Sequence, residues 1–380
     1  MGFKLETNPI ELMKSNKLHR ISFVWFTILL YKNKPISARK IHLILFYYSK
    51  IILSIPLSLI TTLIVHKRIE KVEIKQDPVF ILGHFRSGTT YLQKLLLADN
   101  NFGYLSNYDF LFPNLSLLTG RKTRRILQAV VKVLNIKNFH FNNYNLQLDD
   151  PNEEDLLLAS TLSRCTSTWG FLFPKNWRNW LIPGFFENNF TNDWSYRYQK
   201  LIKSLTYKAK GKRLLLKNPP NTGRVGILLK LFPDAKFIYI GRNPYHLYYS
   251  LKNLWKNVIC KYYALQKVDD EIIDKIIFEH FIAIKDKYEN EKYLIPKGNL
   301  IEISFEELES SPFEVIKRIY LKLNIIGFSE MENELKRVIE REKKYKKFTY
   351  KYSSKKASLI ENYWGRFITN GNYTRPELVT

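Results

Sequence analysis

The chain has 380 residues, 45% apolar and 15% aromatic, enough to build a core, so intrinsic disorder and fibrous repeats are excluded. Sixty Lys and Arg against 35 Asp and Glu leave a net charge of +25, which asks for an acidic partner: nucleic acid, anionic lipid and a phosphorylated small molecule all qualify. Two cysteines, Cys165 and Cys260, leave no disulfide framework, and the seven histidines follow no ligand spacing, so no metal is expected.

Taken in chain order, residues 1–76 read as an N-terminal hydrophobic and basic helical segment. Ile21 to Tyr31 is an uncharged aromatic and aliphatic run, followed by a basic break containing Pro35 and then by an apolar stretch whose uncharged window is Ile51 to Val65. That window is shorter than the roughly 20 residues a bilayer-spanning helix needs. The start Met1 to Glu6 has no signal-peptide pattern. The segment is therefore read as an interfacial contact, with Lys32, Lys34, Arg39, Lys40, Lys50, Lys67 and Arg68 facing anionic lipid. A single membrane pass, or two helices that simply cap the globular part, are the alternatives.

From residue 77 to 380 the pattern is that of one α/β domain. Pro78 to Leu82 predicts a strand, GHFRSGTT a loop, and Tyr91 to Leu97 a helix, the order of a phosphate cradle. Gly83 and Gly88 keep the glycine spacing of the nucleoside-triphosphate motif, but Thr89 stands where its Lys would be and a cation comes earlier, as Arg86. The best later strand, Lys236 to Ile240, runs into Gly241 and Arg242 rather than a magnesium-holding Asp. On this loop alone, a plain strand-to-helix turn serves equally well.

Asp149 to Asp155 predicts an acidic helix start at Pro151, and residues 156–207 a helical insertion with Trp169, Trp177, Trp180 and Trp194, which either wall an acceptor pocket or fill a subdomain core. Arg213 to Leu216 then predicts a strand delivering Lys217, Thr222 to Leu231 a helix, Lys236 to Ile240 a strand delivering Arg242, and Pro244 a helix carrying Ser250. This alternation predicts a P-loop-NTPase-like parallel sheet flanked by helices, with Arg86, Lys217 and Arg242 converging at the carboxyl ends of three strands.

The passages GHFRSGTTYLQKLL, LLLKNPPNTGRVGILLKLFPDAKFIYIGRNPYHLYYSL and ISFEELESSPFEVIKRIYLKLNI together resemble the sulfotransferase superfamily, in particular the bacterial proteins related to the tyrosylprotein sulfotransferases. The resemblance implies a donor, 3′-phosphoadenosine 5′-phosphosulfate (PAPS), with no metal. It implies that Arg86, Ser87, Gly88, Thr89 and Thr90 bind the 5′-phosphosulfate, that Arg242 and Ser250 bind the 3′-phosphate, and that Lys217 contacts the sulfate. The chain departs from the tyrosylprotein pattern where a Glu is expected after the first helix and Ser106 and Asn107 stand instead, with Asp109 displaced. A general base is then sought in Glu153 first, in Glu154 and Asp109 next, and in His84 within the loop; Glu153 and Glu154 read equally as residues capping a helix.

The expected function is metal-free sulfuryl transfer from PAPS to a hydroxyl of a lipid, glycolipid or other carbohydrate-bearing acceptor. The expected setting is cytoplasmic and peripheral to an anionic membrane, with no nucleic-acid partner. An NTP-dependent kinase-like enzyme is one rival. A non-catalytic basic protein binding nucleotide or nucleic acid through Arg337 to Lys356 is the other.

Overall fold

The computed structural model describes residues 18–134, 146–160, 166–182, 188–343 and 350–377. Cys165 and residues 344–349 of the C-terminal basic run lie outside the described residues. Helices α1 (Leu18–Lys32) and α2 (Ile41–Glu70) form a hairpin, and α2 runs without a break through Lys50 and Pro56. Together with the short turn before it, this is one helix among the described residues long and apolar enough to cross a membrane.

Strand β1 (Val79–Leu82) leads to α3 (Thr89–Leu96), then β2 (Phe102–Gly103), α4 (Asn107–Leu111), α5 (Pro113–Leu118) and α6 (Arg121–Val133). The insertion follows as α7 (Glu154–Ser160), α8 (Trp169–Leu172), α9 (Arg178–Leu181) and α10 (Asn188–Lys208). The second half continues with β3 (Arg213–Lys217), α11 (Val225–Leu231), β4 (Lys236–Gly241), α12 (Pro244–Leu254) and α13 (Asp270–Glu291). It closes with β5 (Leu300–Ser304), α14 (Phe305–Ser310), α15 (Pro312–Lys322), α16 (Phe328–Glu342) and α17 (Ser354–Asn370).

The strands lie in the order β2-β3-β1-β4-β5, with every pairing parallel. The period of two in β1 explains its place at the centre. Val79 and Ile81 pack against Leu92, Leu95, Ile316 and Ile319 on one face, while Phe80 and Leu82 pack against Tyr198, Ile202, Leu228 and Tyr288 on the other. The chain leaves β1 towards β2 at the edge, returns through β3 beside β1, and crosses to β4 on the other side, so the reversal that opens a binding crevice falls at the end of β1.

Two local expectations differ from the structure. Pro151 does not open a helix: it pairs with Ser106 in an antiparallel bridge, and Asn152 N donates to Leu105 O (2.9 Å), so the segment is stitched beside residues 105–108 and α7 begins at Glu154. The Thr222 to Leu231 helix is split, because Pro219–Gly223 forms a 3₁₀ turn before α11. Prolines in sequence favour a turn as readily as a helix start, and partners distant in the chain decide between them.

Candidate active site

The loop after β1 is built for close approach. Gly83 has φ +143°, and a Cβ there would meet Ile240 O at 2.6 Å. Its N–H donates to Thr222 Oγ1 (2.7 Å) and its carbonyl accepts from the same hydroxyl (3.1 Å), which ties the loop to the segment following β3. Arg86 sits at φ +69°, a left-handed conformation that costs a non-glycine residue roughly 1–2 kcal/mol. Gly88, at φ +101°, could not carry a Cβ without meeting the Phe305 ring at 2.3 Å. The Ser87 hydroxyl donates to His84 O (2.8 Å) and braces the turn. The first N–H groups of α3, from Thr89 and Thr90 onward, have no intrahelical acceptor and give the loop a positive end.

On the β4 side, three predicted residues meet. Arg86 Nε donates to Ser250 Oγ (3.0 Å), and Arg242 Nη1 donates to the Arg86 carbonyl (2.8 Å). The Arg242 guanidinium lies over the Phe305 ring at 4.5 Å, and its buried Nε has no hydrogen-bond partner among the described residues. Burial first, and the neighbouring Arg86 second, push the Arg242 pKa below its usual value. A buried donor of this kind beside a second guanidinium and a hydroxyl is unmet demand for an anion, and it fits a phosphate group.

The β3 side is different. Lys217 Nζ contacts Glu153 Oε1 at 2.6 Å, with the Lys side chain 4% and the Glu side chain 21% exposed, so the carboxylate is the more open of the two. Glu154, next in sequence, points inward: Oε1 accepts from Lys217 N (3.1 Å) and Oε2 from Asn221 Nδ2 (3.2 Å) and Tyr198 OH (3.3 Å). Burial raises its pKa to about 8, against the opposing charge of Lys217. Asp155 is clamped by Arg224 (2.8 and 3.2 Å), Ser167 Oγ (2.7 Å) and Asn218 Nδ2 (3.0 Å). Burial would raise its pKa, but Arg224 and these donors outweigh it and hold the carboxyl below its usual range.

The profile of the sulfotransferase family matches residues 78–330, from β1 past β5, including both sides of this site. The chain belongs to the sulfotransferase family. It is 24% identical to an omega-hydroxy-beta-dihydromenaquinone-9 sulfotransferase, Stf3, of Mycobacterium bovis, over 92% of this chain and 89% of that protein, and equally to the Stf3 of Mycobacterium tuberculosis. The fold is similar to the crystal structure of sulfotransferase STF1 from Mycobacterium tuberculosis, with a TM-score of 0.70 at 17% identity, covering 93% of both chains. It is also similar to that of sulfotransferase STF9 from Mycobacterium avium, with a TM-score of 0.66 at 18% identity, covering 84% of this chain and 82% of that one. Membership makes the chain a sulfotransferase, and the kinase and non-catalytic readings fall away.

In this sulfotransferase the remaining base candidates are engaged elsewhere. Asp109 closes a capping box with Ser106 and pairs with Lys208, so its carboxylate is spent at the start of α4. His84 donates from Nδ1 to Phe85 O (3.1 Å), and its Nε2 meets His280 Nδ1 at 3.1 Å; burial lowers its pKa to about 4, so the ring is neutral. The insertion tryptophans fill core: Trp180 packs against the cluster of Phe26 and Trp169 and donates from Nε1 to Asn33 Oδ1 (3.2 Å). Trp169, Trp177 and Trp194 are buried in three separate clusters. Phe171, on the same helix as Trp169, reaches the loop and packs against Phe85 and Trp255 at 5.4 and 5.6 Å. Sequence reasoning missed Thr222, Phe305, Arg224 and His280. Each acts through a partner far away in the chain, and the one local hint is that Thr222 and Arg224 share the loop of Lys217.

Proposed function

We propose that this sulfotransferase moves the sulfuryl group of PAPS to a hydroxyl carried by a lipid. The observation that carries the donor assignment is the Arg86–Arg242–Ser250 cluster with the unmatched Arg242 Nε. In this reading Arg242 and Ser250 hold the 3′-phosphate, while the loop from Arg86 through Ser87, Gly88, Thr89 and Thr90 holds the 5′ end. PAPS supplies the transferable sulfuryl group and a phosphate leaving group.

The protein's work is electrostatic. Arg86 and Lys217 stabilise negative charge as it builds at the leaving oxygen, and both are fixed before reaction begins. Glu153 is the base: its carboxylate stands 2.6 Å from Lys217 Nζ and is the more exposed partner, so it can take the acceptor hydroxyl proton while Lys217, held in place, stabilises the departing charge. Glu154 and Asp155 are positioning residues that fix the strand end and the segment behind it.

The lipid acceptor is supported by two observations. A relative sharing 92% coverage of this chain is named for a lipid with a hydroxyl on its chain. Beside the loop, Phe171 shares helix α8 with Trp169, which packs into the α1–α2 cluster with Phe26 and Leu29, so an apolar path joins the exposed hairpin to the loop. The same reading has the enzyme work peripherally on the inner face of a membrane, as the two-cysteine composition suits.

The test has two arms. Thermal shift with 3′,5′-ADP against ATP with Mg²⁺ should show stabilisation by the first alone; stabilisation by ATP–Mg²⁺ alone refutes the donor. Radiolabelled PAPS with vesicles carrying a long-chain alcohol should label the alcohol. Label entering only water-soluble glycan refutes the lipid acceptor.

A further inference from the structure

Helix α6 is apolar on two faces. Leu127 and Val131 face the body, in the cluster of Tyr108, Leu148, Leu111 and Phe112. Ile126, Val130, Val133 and Leu134, at i, i+4, i+7 and i+8, are turned to solvent, with Val133 84% exposed. Lys122, Arg125 and Lys132 are exposed on the same helix, and none of them pairs with a carboxylate among the described residues. From residue 110 to 134 there are five Lys and Arg and no Asp or Glu.

Helix α2 has the same character. Leu45, Phe46, Ile52, Leu53, Leu63 and Ile64 are exposed, and residues 18–69 carry eight Lys and Arg and no Asp or Glu. Its buried positions Ile51, Thr61, Val65 and Ile69 form a line along most of its length. Ile51 joins the cluster of Phe26, Leu29 and Trp169, while the helix packs on α5 and α10: Thr61 Oγ1 donates to Asn114 O (3.4 Å), and Lys203 Nζ donates to Glu70 O (3.0 Å). A helix bound lengthwise to a charged body cannot cross a bilayer without drawing that body in, at large cost. It can lie along the surface. Both α2 and α6 rest on the same support: α2 on α5 with Lys50 over the Phe110 ring (5.2 Å), and α6 on Tyr108, Leu111 and Phe112 of the adjoining segment.

We infer that α2 and α6 together form a two-footed face that docks in the plane of an anionic bilayer, with Ile126, Val130, Val133 and Leu134 below the headgroups and Lys122, Arg125 and Lys132 among them. The occupant is lipid because both helices pair outward apolar residues with cations and carry no acid over residues 18–69 and 110–134; the acid that meets α6, Asp149, is taken up by Arg124 (2.6 Å) and leaves Lys122, Arg125 and Lys132 unopposed. The inference rests on the lipid-acceptor reading only for its purpose; the docking itself is independent of donor and acceptor.

The test is co-sedimentation of the full chain with phosphatidylcholine vesicles, with and without phosphatidylglycerol, alongside the 3′,5′-ADP thermal shift. Wild type should bind the anionic vesicles and weaken in high salt. The pair Val130→Glu and Val133→Glu should weaken binding at least about tenfold, and Lys122→Ala, Arg125→Ala and Lys132→Ala about fivefold per charge on anionic vesicles only. Both should keep the 3′,5′-ADP shift. If the glutamate pair loses that shift through misfolding, the alanine set decides by the same readouts. Vesicle binding unchanged in the alanine set overturns the inference. So does light scattering in which the glutamate pair turns a dimer into a monomer, which would make the face a protein contact. Release of the membrane-bound enzyme by alkaline carbonate supports the in-plane geometry, and resistance to release overturns it. Failure of sulfation with vesicle binding intact would count against the lipid acceptor and not against the docking face.

Discussion

The two flanks of β1 each hold two cations and use them in opposite ways. On the β4 flank Arg86 and Arg242 stand together with a serine and no carboxylate paired to either among the described residues. On the β3 flank each cation has its anion: Lys217 with Glu153, and Arg224 with Asp155. Two guanidiniums held side by side repel, so the first flank is a site the fold supports at a cost that an arriving anion repays. The second is neutral as a unit, so charge there can shift during reaction without being supplied from outside. In the proposed function, this contrast would separate holding the donor from moving the proton.

The most damaging way to break the contrast is to empty the β4 flank. Arg86→Ala with Arg242→Ala removes several charge-assisted hydrogen bonds, each worth about 1.5–3 kcal/mol, and should lower affinity for 3′,5′-ADP by about 10³–10⁴-fold in calorimetry. The apo protein should be as stable as wild type or more so, because like charges have been separated. A variant that binds 3′,5′-ADP normally would remove the donor assignment.

Next in size is an orphaned charge on the other flank. Arg224 is buried and stacks on Trp194 at 4.6 Å while clamping Asp155. Arg224→Met leaves that carboxylate buried and unpaired, which should cost about 3–5 kcal/mol in urea unfolding. No such loss should follow Arg242→Met, since Arg242 has no carboxylate to abandon.

Glu153→Gln is smaller. Loss of a positioned base should lower kcat by roughly 10²-fold, with the 3′,5′-ADP thermal shift unchanged. If kcat falls less than about threefold, the proton leaves by another route.

What could be read in sequence tracks how local each signal is. The β1 strand, its glycine-bounded loop and the βα order of residues 213–250 were legible because strand period and turn residues act within a few positions. Arg86, Lys217 and Arg242 were legible as residues at strand ends and Ser250 as a residue on the helix after β4, but not as two separate flanks: Arg86 reaches to Ser250 rather than to Lys217, and only the spatial order of strands decides that. The Asp155–Arg224 clamp was unreadable because 69 residues separate its halves and either alone passes for a surface charge. The outward face of α6 was missed for a different reason. In one dimension Leu127 and Val131, which are covered, look the same as Val130 and Val133, which are not.

Glu154 tests the β3 flank by pH, with the smallest effect. Its native pKa of about 8 lies above the ordinary 4.5, so between those values the folded protein keeps a proton that the unfolded chain has lost. Stability must therefore fall as pH rises through this window, by at most about 1.4 kcal/mol per pH unit, with the full penalty present above the native pKa and none below the unfolded one. Gln reproduces the shape of the neutral carboxyl and cannot ionise. Glu154→Gln should flatten the decline in urea midpoint between about pH 6 and pH 8, and the Arg86 and Arg242 variants should leave that slope as it is. An unchanged slope in Glu154→Gln would mean that the carboxylate stays ionised in the native state, with Lys217 and Asn221 compensating its burial, and the β3 flank would then carry a net negative charge rather than none.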